Sequence, residues 1–179
     1  PTVTAGGSNA GAVTLYTGDE TALGFAEGTM VYQYVGVSSI TDKASIKVDS
    51  SAYDYVEVDF VIASGDGYFF VHGLKGGNYY NNGVSYVIDP SWIRLGDGNN
   101  TPSDRRIEVY DADGNKVTSS METGKLYTLR VYTKLGELDE IRIGQSNSTI
   151  YFANVEQGID TTPVAVEIKV GDDKAEPTI

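Results

Sequence analysis

From Tyr55 to Ala63 the apolar residues Val56, Val58, Phe60 and Ile62 alternate with Tyr55, Glu57 and Asp59. That period of two puts the two sets on opposite faces of a β-strand. From Lys125 to Lys134 the residues Tyr127, Leu129 and Val131 share one face, opposite Leu126, Thr128, Arg130 and Tyr132. Shorter runs of the same kind predict strands over 12–16, 29–37, 44–49, 67–72, 84–88, 92–95, 106–110, 140–143, 149–155 and 164–170. No window sustains an i, i+3, i+4, i+7 apolar pattern, so no substantial helix is expected. Glycine clusters at Gly6-Gly7, Gly65–Gly67, Gly76-Gly77 and Gly96–Gly98 punctuate the runs. So many short strands predict an all-β chain folded as a two-sheet antiparallel β-sandwich of jelly-roll type, each sheet burying one face.

The 179 residues suit one domain with a sizeable core, and the 40% hydrophobic content excludes a disordered chain. The pattern assigns residues 1–11 to a polar arm, 12–171 to the sandwich and 172–179 to a linker toward a following domain. Pro1 reads as the start of an excised piece of a longer chain. The 25 acidic and 13 basic side chains give a formal charge of −12, with no basic run to neutralise phosphates, so nucleic acid is not an expected partner. No apolar stretch is long enough to span a membrane as a helix. The absence of cysteine removes thiol nucleophiles, thiolate zinc sites and disulfides, and a single histidine, His72, excludes a multi-histidine metal centre.

Candidate chemistry is sparse. Asp111–Lys116 places carboxylates at alternate positions around Gly114, with Glu122 in twelfth place as in a calcium loop, but the flanks predict strands rather than helices. The turn Asp113-Gly114-Asn115 is therefore expected to close a hairpin. Glu57 and Asp59 lie two apart on an outward strand face and His72 is expected at a strand end; neither makes a catalytic set, and no nucleophile or phosphate motif occurs. The stretch from Gly76 to Trp92 holds Tyr79 and Tyr80 followed by Asn81 and Asn82, rings and amides of the kind that stack on and hydrogen-bond to sugars. Trp92, the only tryptophan, shares an expected outward face with Arg94. These six residues form the sequence-level candidate binding site.

The stretch GKLYTLRVYTKLGELDEIRIGQSNSTIYFANVEQG, ending in the step Ala153-Asn154-Val155, resembles the closing strands of bacterial jelly-roll carbohydrate-binding modules. KASIKVDSSAYDYVEVDFVIASGDGYFFVHG resembles their front strands. The resemblance covers about two thirds of the chain and is one of pattern rather than of an invariant motif. It implies a non-catalytic, extracellular or cell-surface module that binds a polysaccharide beside neighbouring domains of a longer protein. It also implies a structural calcium between sheet edges, for which no ligand positions carry over. One tryptophan among tyrosine-rich loops points to a starch-like α-glucan first and hemicellulose second, and the negative charge points to a neutral glycan. The competing readings are an adhesin or spacer domain with no small ligand, and a jelly-roll lyase or hydrolase.

Overall fold

A computed structural model describes residues 2–37, 42–65, 69–79, 85–89, 92–95, 107–117 and 121–161; for 79, 85–89 and 92–95 it describes the backbone. The segment 164–170, read above as a strand, lies outside the described residues.

Among the described residues, two antiparallel sheets of seven strands each form a β-sandwich. The first contains β1 (Thr4–Ala5), β4 (Ala44–Lys47), β6 (Phe69–Lys75), β7 (Asn78–Tyr79), β8 (Ser85–Asp89), β9 (Trp92–Leu95) and β13 (Glu140–Gly144). The second contains β2 (Val13–Leu15), β3 (Val31–Val35), β5 (Tyr55–Ser64), β10 (Ile107–Asp111), β11 (Lys116–Val117), β12 (Leu126–Val131) and β14 (Thr149–Gly158). Their orders are β1-β4-β13-β6-β8-β9, with β7 also on β6, and β11-β10-β12-β5-β14-β3-β2. Consecutive strands change sheet at β1 to β2, β3 to β4, β4 to β5, β5 to β6, β9 to β10, β12 to β13 and β13 to β14. Such crossings let successive strands bury their apolar sets against each other.

The alternation read from sequence is the alternation of burial. Val56, Val58, Phe60 and Ile62 of β5 lie in the core with Leu129 and Val131 of β12 and Ile141 and Ile143 of β13. The Phe60 ring meets Phe69 of the opposite sheet edge-on, with centroids 5.0 Å apart. Tyr34 of β3 is fully buried; its hydroxyl donates to the Asp42 carbonyl (2.8 Å) and accepts from the Gln145 N–H (3.2 Å). Tyr34→Phe is expected to cost about 1–2 kcal/mol, because both backbone groups lose a buried partner. Urea denaturation should show a lower midpoint at unchanged slope; an unchanged midpoint would mean that water replaces the hydroxyl.

Three details differ from the sequence reading. The polar arm is partly built in: Val3 joins the core and Thr4 pairs with Ser45, a strand too short to produce a readable alternation. His72 lies in mid-strand, between Arg142 of β13 and Ser85 of β8, because β6 runs on through Gly73 and Leu74. The outer face of the second sheet is also half covered. Phe25, with Leu23 and Tyr16, packs over Val31, Val61 and Ala153. The covering segment turns through a short 3₁₀ helix, Glu20–Leu23, capped by the Asp19 carboxylate and stopped at Gly24 in the left-handed region. Among the described residues, the half built from β5, β12 and β10 stays open.

Candidate functional site

On that open half, register places two rows of residues side by side. One runs Glu108, Arg130, Glu57 across β10, β12 and β5; the next runs Tyr110, Thr128, Asp59. Directly opposed residues in an antiparallel pair point to the same face, so an acid–base–acid row lies beside a hydroxyl-rich one.

Arg130 is the centre. Its Nε and Nη2 donate to one Glu57 oxygen at 2.8 and 2.6 Å, and its Nη1 donates to the Tyr132 hydroxyl at 3.3 Å. The guanidinium carbon lies 4.1, 5.5 and 5.9 Å from the ring centroids of Tyr55, Tyr110 and Tyr132, within cation–π range of all three. Beneath it the Glu108 carboxylate, 7% exposed, accepts from the hydroxyls of Tyr110 (2.6 Å) and Tyr132 (2.9 Å) and from Lys116 (3.4 Å). Burial first, and then the hydrogen bond to Glu108, push the Tyr110 phenol up to about 12; burial raises Tyr132 as well. Both phenols are therefore neutral donors throughout the physiological range.

Asp59 is held from both sides, by the Thr128 hydroxyl (2.6 Å) and the Asn154 side-chain amide (2.8 Å). Asn154 reaches it because β14 slips register between Ala153 and Glu156, with Asn154 at φ 55°. A bulge of this kind re-aims a side chain, and asparagine tolerates the left-handed region. The Ala153-Asn154-Val155 step noted in the sequence is thus a device that braces a carboxylate. At the far rim, Asp111 accepts from the backbone N–H groups of Asp113 and Asn115, both at 2.9 Å, and Gly114 takes φ 85°. The turn closes a hairpin, with Tyr110 opposite Lys116. Among the described residues no three His, Cys, Asp or Glu side chains are grouped to hold a metal ion.

Together Glu57, Asp59, Tyr110, Asp111, Thr128 and Arg130 line an open hollow of about 480 Å³. Its polar groups are fixed by one another, so it offers a ring edge, hydroxyls and carboxylate lone pairs in a fixed layout. Such a surface can accept hydrogen bonds from several hydroxyls of one ligand without first reorganising.

Of the residues singled out from sequence, Tyr79, Trp92 and Arg94 lie on strands of the first sheet. The row Phe69, Ile88, Ile93 begins in the core, so the alternate positions Trp92 and Arg94 of β9 fall on the outer face of the first sheet, Arg94 in the row Gly144, Phe70, Val87. Tyr79 pairs with Leu74 of β6. Register therefore brings Trp92 and Arg94 to one face, on the opposite side of the sandwich from the hollow. Tyr80, Asn81 and Asn82 lie outside the described residues. The sequence reading passed over Arg130, Tyr110 and Glu108; the usable signal was that three separate strands each carry charged and tyrosine residues on the outward period. Glu57 and Asp59, read as a solvated pair, are half-buried, Glu57 bonded to Arg130 and Asp59 to Thr128 and Asn154. No protein-family model and no curated protein sequence matches this chain.

Proposed function

We propose that the protein is a non-catalytic polysaccharide-binding module of an extracellular or cell-surface system, and that a neutral glycan binds the hollow over β5, β12 and β10. The observation that carries this reading is the Glu57–Arg130–Tyr110 surface, where aromatic rings and braced carboxylates converge on one open face. Sugars present C–H faces that pack on rings and hydroxyl edges that donate to carboxylates. The carboxylates are tied to Arg130, Thr128 and Asn154, which suits them to orient hydroxyls rather than to shuttle protons. Starch-like α-glucan first and hemicellulose second are the two glycan classes the reading admits, and a structural calcium, with no ligand positions assigned, remains part of it.

Native affinity electrophoresis tests it, with starch, glycogen, xyloglucan, xylan, mixed-linkage glucan and pectin in the gels, with and without a chelator. Retardation in at least one neutral-glycan gel is expected, and Tyr110→Ala should weaken it at least tenfold while leaving the thermal midpoint within a few degrees. Loss with Trp92→Ala instead would move the site to the opposite face. No retardation in any gel would sink the glycan reading in favour of an adhesin or spacer domain.

A further inference from the structure

Two further hollows continue the first along the direction of β12. One, of about 430 Å³, lies between the 111–113 turn and the Glu122–Lys125 turn, and shares Asp111, Ala112, Leu126 and Tyr127 with the central hollow. The other, of about 280 Å³, is lined by Asp54, Tyr132, Lys134, Leu135 and Asp160. It adjoins the centre through Tyr132, whose hydroxyl accepts from Arg130. Leu126, Thr128 and Arg130 lie on one face of β12 and Tyr132 follows directly after its end, so at ~3.3 Å per residue the track from Leu126 to Tyr132 is roughly 20 Å long. The far hollow is lined in part by Leu135, an apolar side chain 44% exposed.

Each cation lining this track is already ion-paired: Lys125 with Glu122 at 2.8 Å, Arg130 with Glu57 at 2.6 Å, and Lys134 with Asp54 at 3.5 Å. A uronate would meet carboxylates with no uncommitted cation among these three to receive it, and like charges brought together repel.

Resting on the glycan reading above, we infer that the site takes an internal stretch of an extended, uncharged, β-linked glycan laid along β12 and spanning all three hollows. A coiled α-glucan curves away from a straight track and reaches one hollow only. Affinity therefore grows with chain length, is indifferent to the chain end, and falls with charge.

The experiment is calorimetric titration with cello- and xylo-oligosaccharides from disaccharide to hexasaccharide, their borohydride-reduced forms, malto-oligosaccharides, and oligogalacturonates of matching length. Expected are a gain of at least tenfold from disaccharide to tetrasaccharide in one β-linked series, equal binding of reduced and unreduced chains, and at least tenfold weaker binding of the other two sets. Leu135→Ala, an exposed change at one end of the track, should weaken hexasaccharide binding several-fold. A plateau at the disaccharide, loss on reduction, preference for malto-oligosaccharides or oligogalacturonates, or an unaffected Leu135→Ala would each overturn the inference while leaving a glycan-binding site. Silence from every sugar would take the glycan reading down together with it.

Discussion

Between about pH 4.5 and pH 2 the domain is expected to lose about 3 kcal/mol of stability that a Glu140→Gln variant does not lose. Glu140 lies on the outer face of the first sheet, 3% exposed. Its carboxylate accepts from Ser45 Oγ at 2.5 Å, Arg142 Nε at 2.7 Å and Lys47 Nζ at 2.9 Å. Burial alone would raise its pKa, but the hydrogen bonds from Arg142, Lys47 and Ser45 outweigh it and hold the group at about 2, against 4.5 when free. A depressed carboxylate stabilises the fold fully above its unfolded pKa, and that contribution fades as pH falls toward the folded one. At ~1.4 kcal/mol per pH unit, the difference amounts to about 3 kcal/mol. The Lys47 ammonium is 75% exposed and contributes little of this, whereas Arg142, 25% exposed, contributes more. At neutral pH the variant should start about 3 kcal/mol below wild type, because Arg142 and Ser45 keep their positions without the charge they were arranged around. Urea denaturation of both proteins at pH 7, 4 and 2.5 gives the answer: parallel pH dependences would show that Glu140 is not the group that titrates.

That hub also marks where sequence reading stops. The strands were legible because period-two alternation is local: in β5 and β12 each residue declares its face through its immediate neighbours, and burial follows it through Val56, Val58, Leu129 and Val131. The Asp111–Gly114 turn was legible for the same reason, since an Asx side chain caps its own loop. The rows Glu108–Arg130–Glu57 and Ser45–Arg142–His72 were not, because they exist only once strands distant in the chain, Glu57 from Arg130 and Ser45 from Arg142 among them, are set in register. An isolated reading of Glu57 and Asp59 finds two acids on a wet face; the partners that convert them into a fixed surface are on β12 and in the β14 bulge. Likewise, nothing within 16–25 announces that its aromatic residues will cover Val61 and Ala153 and so choose which half of the sheet stays open.

Arg130 carries the largest expected effect on binding. Arg130→Ala should remove about 2–4 kcal/mol of glycan affinity, the range of a binding hot spot, although the guanidinium itself is engaged with protein groups. Its role is to hold three rings and the Glu57 carboxylate in one arrangement: without it Glu57 loses both of its donors, Tyr132 loses a donor, and Tyr55 and Tyr110 lose the cation packed between them. Arg130→Lys should not restore binding, since one ammonium cannot supply two bonds to Glu57, a third to Tyr132 and a flat face to Tyr55 at once. The fold should survive, because the core beneath, Val58, Leu129 and Val109, does not include the guanidinium, and a pair about a quarter exposed is worth only about 1 kcal/mol of stability. Calorimetry on Arg130→Ala, Glu57→Ala and the double variant separates the two effects. A binding loss in the double variant no larger than in either single one means the pair acts as a unit. Additive losses would mean that Arg130 touches the sugar directly, and an Arg130→Lys variant with full affinity would show that only its charge matters.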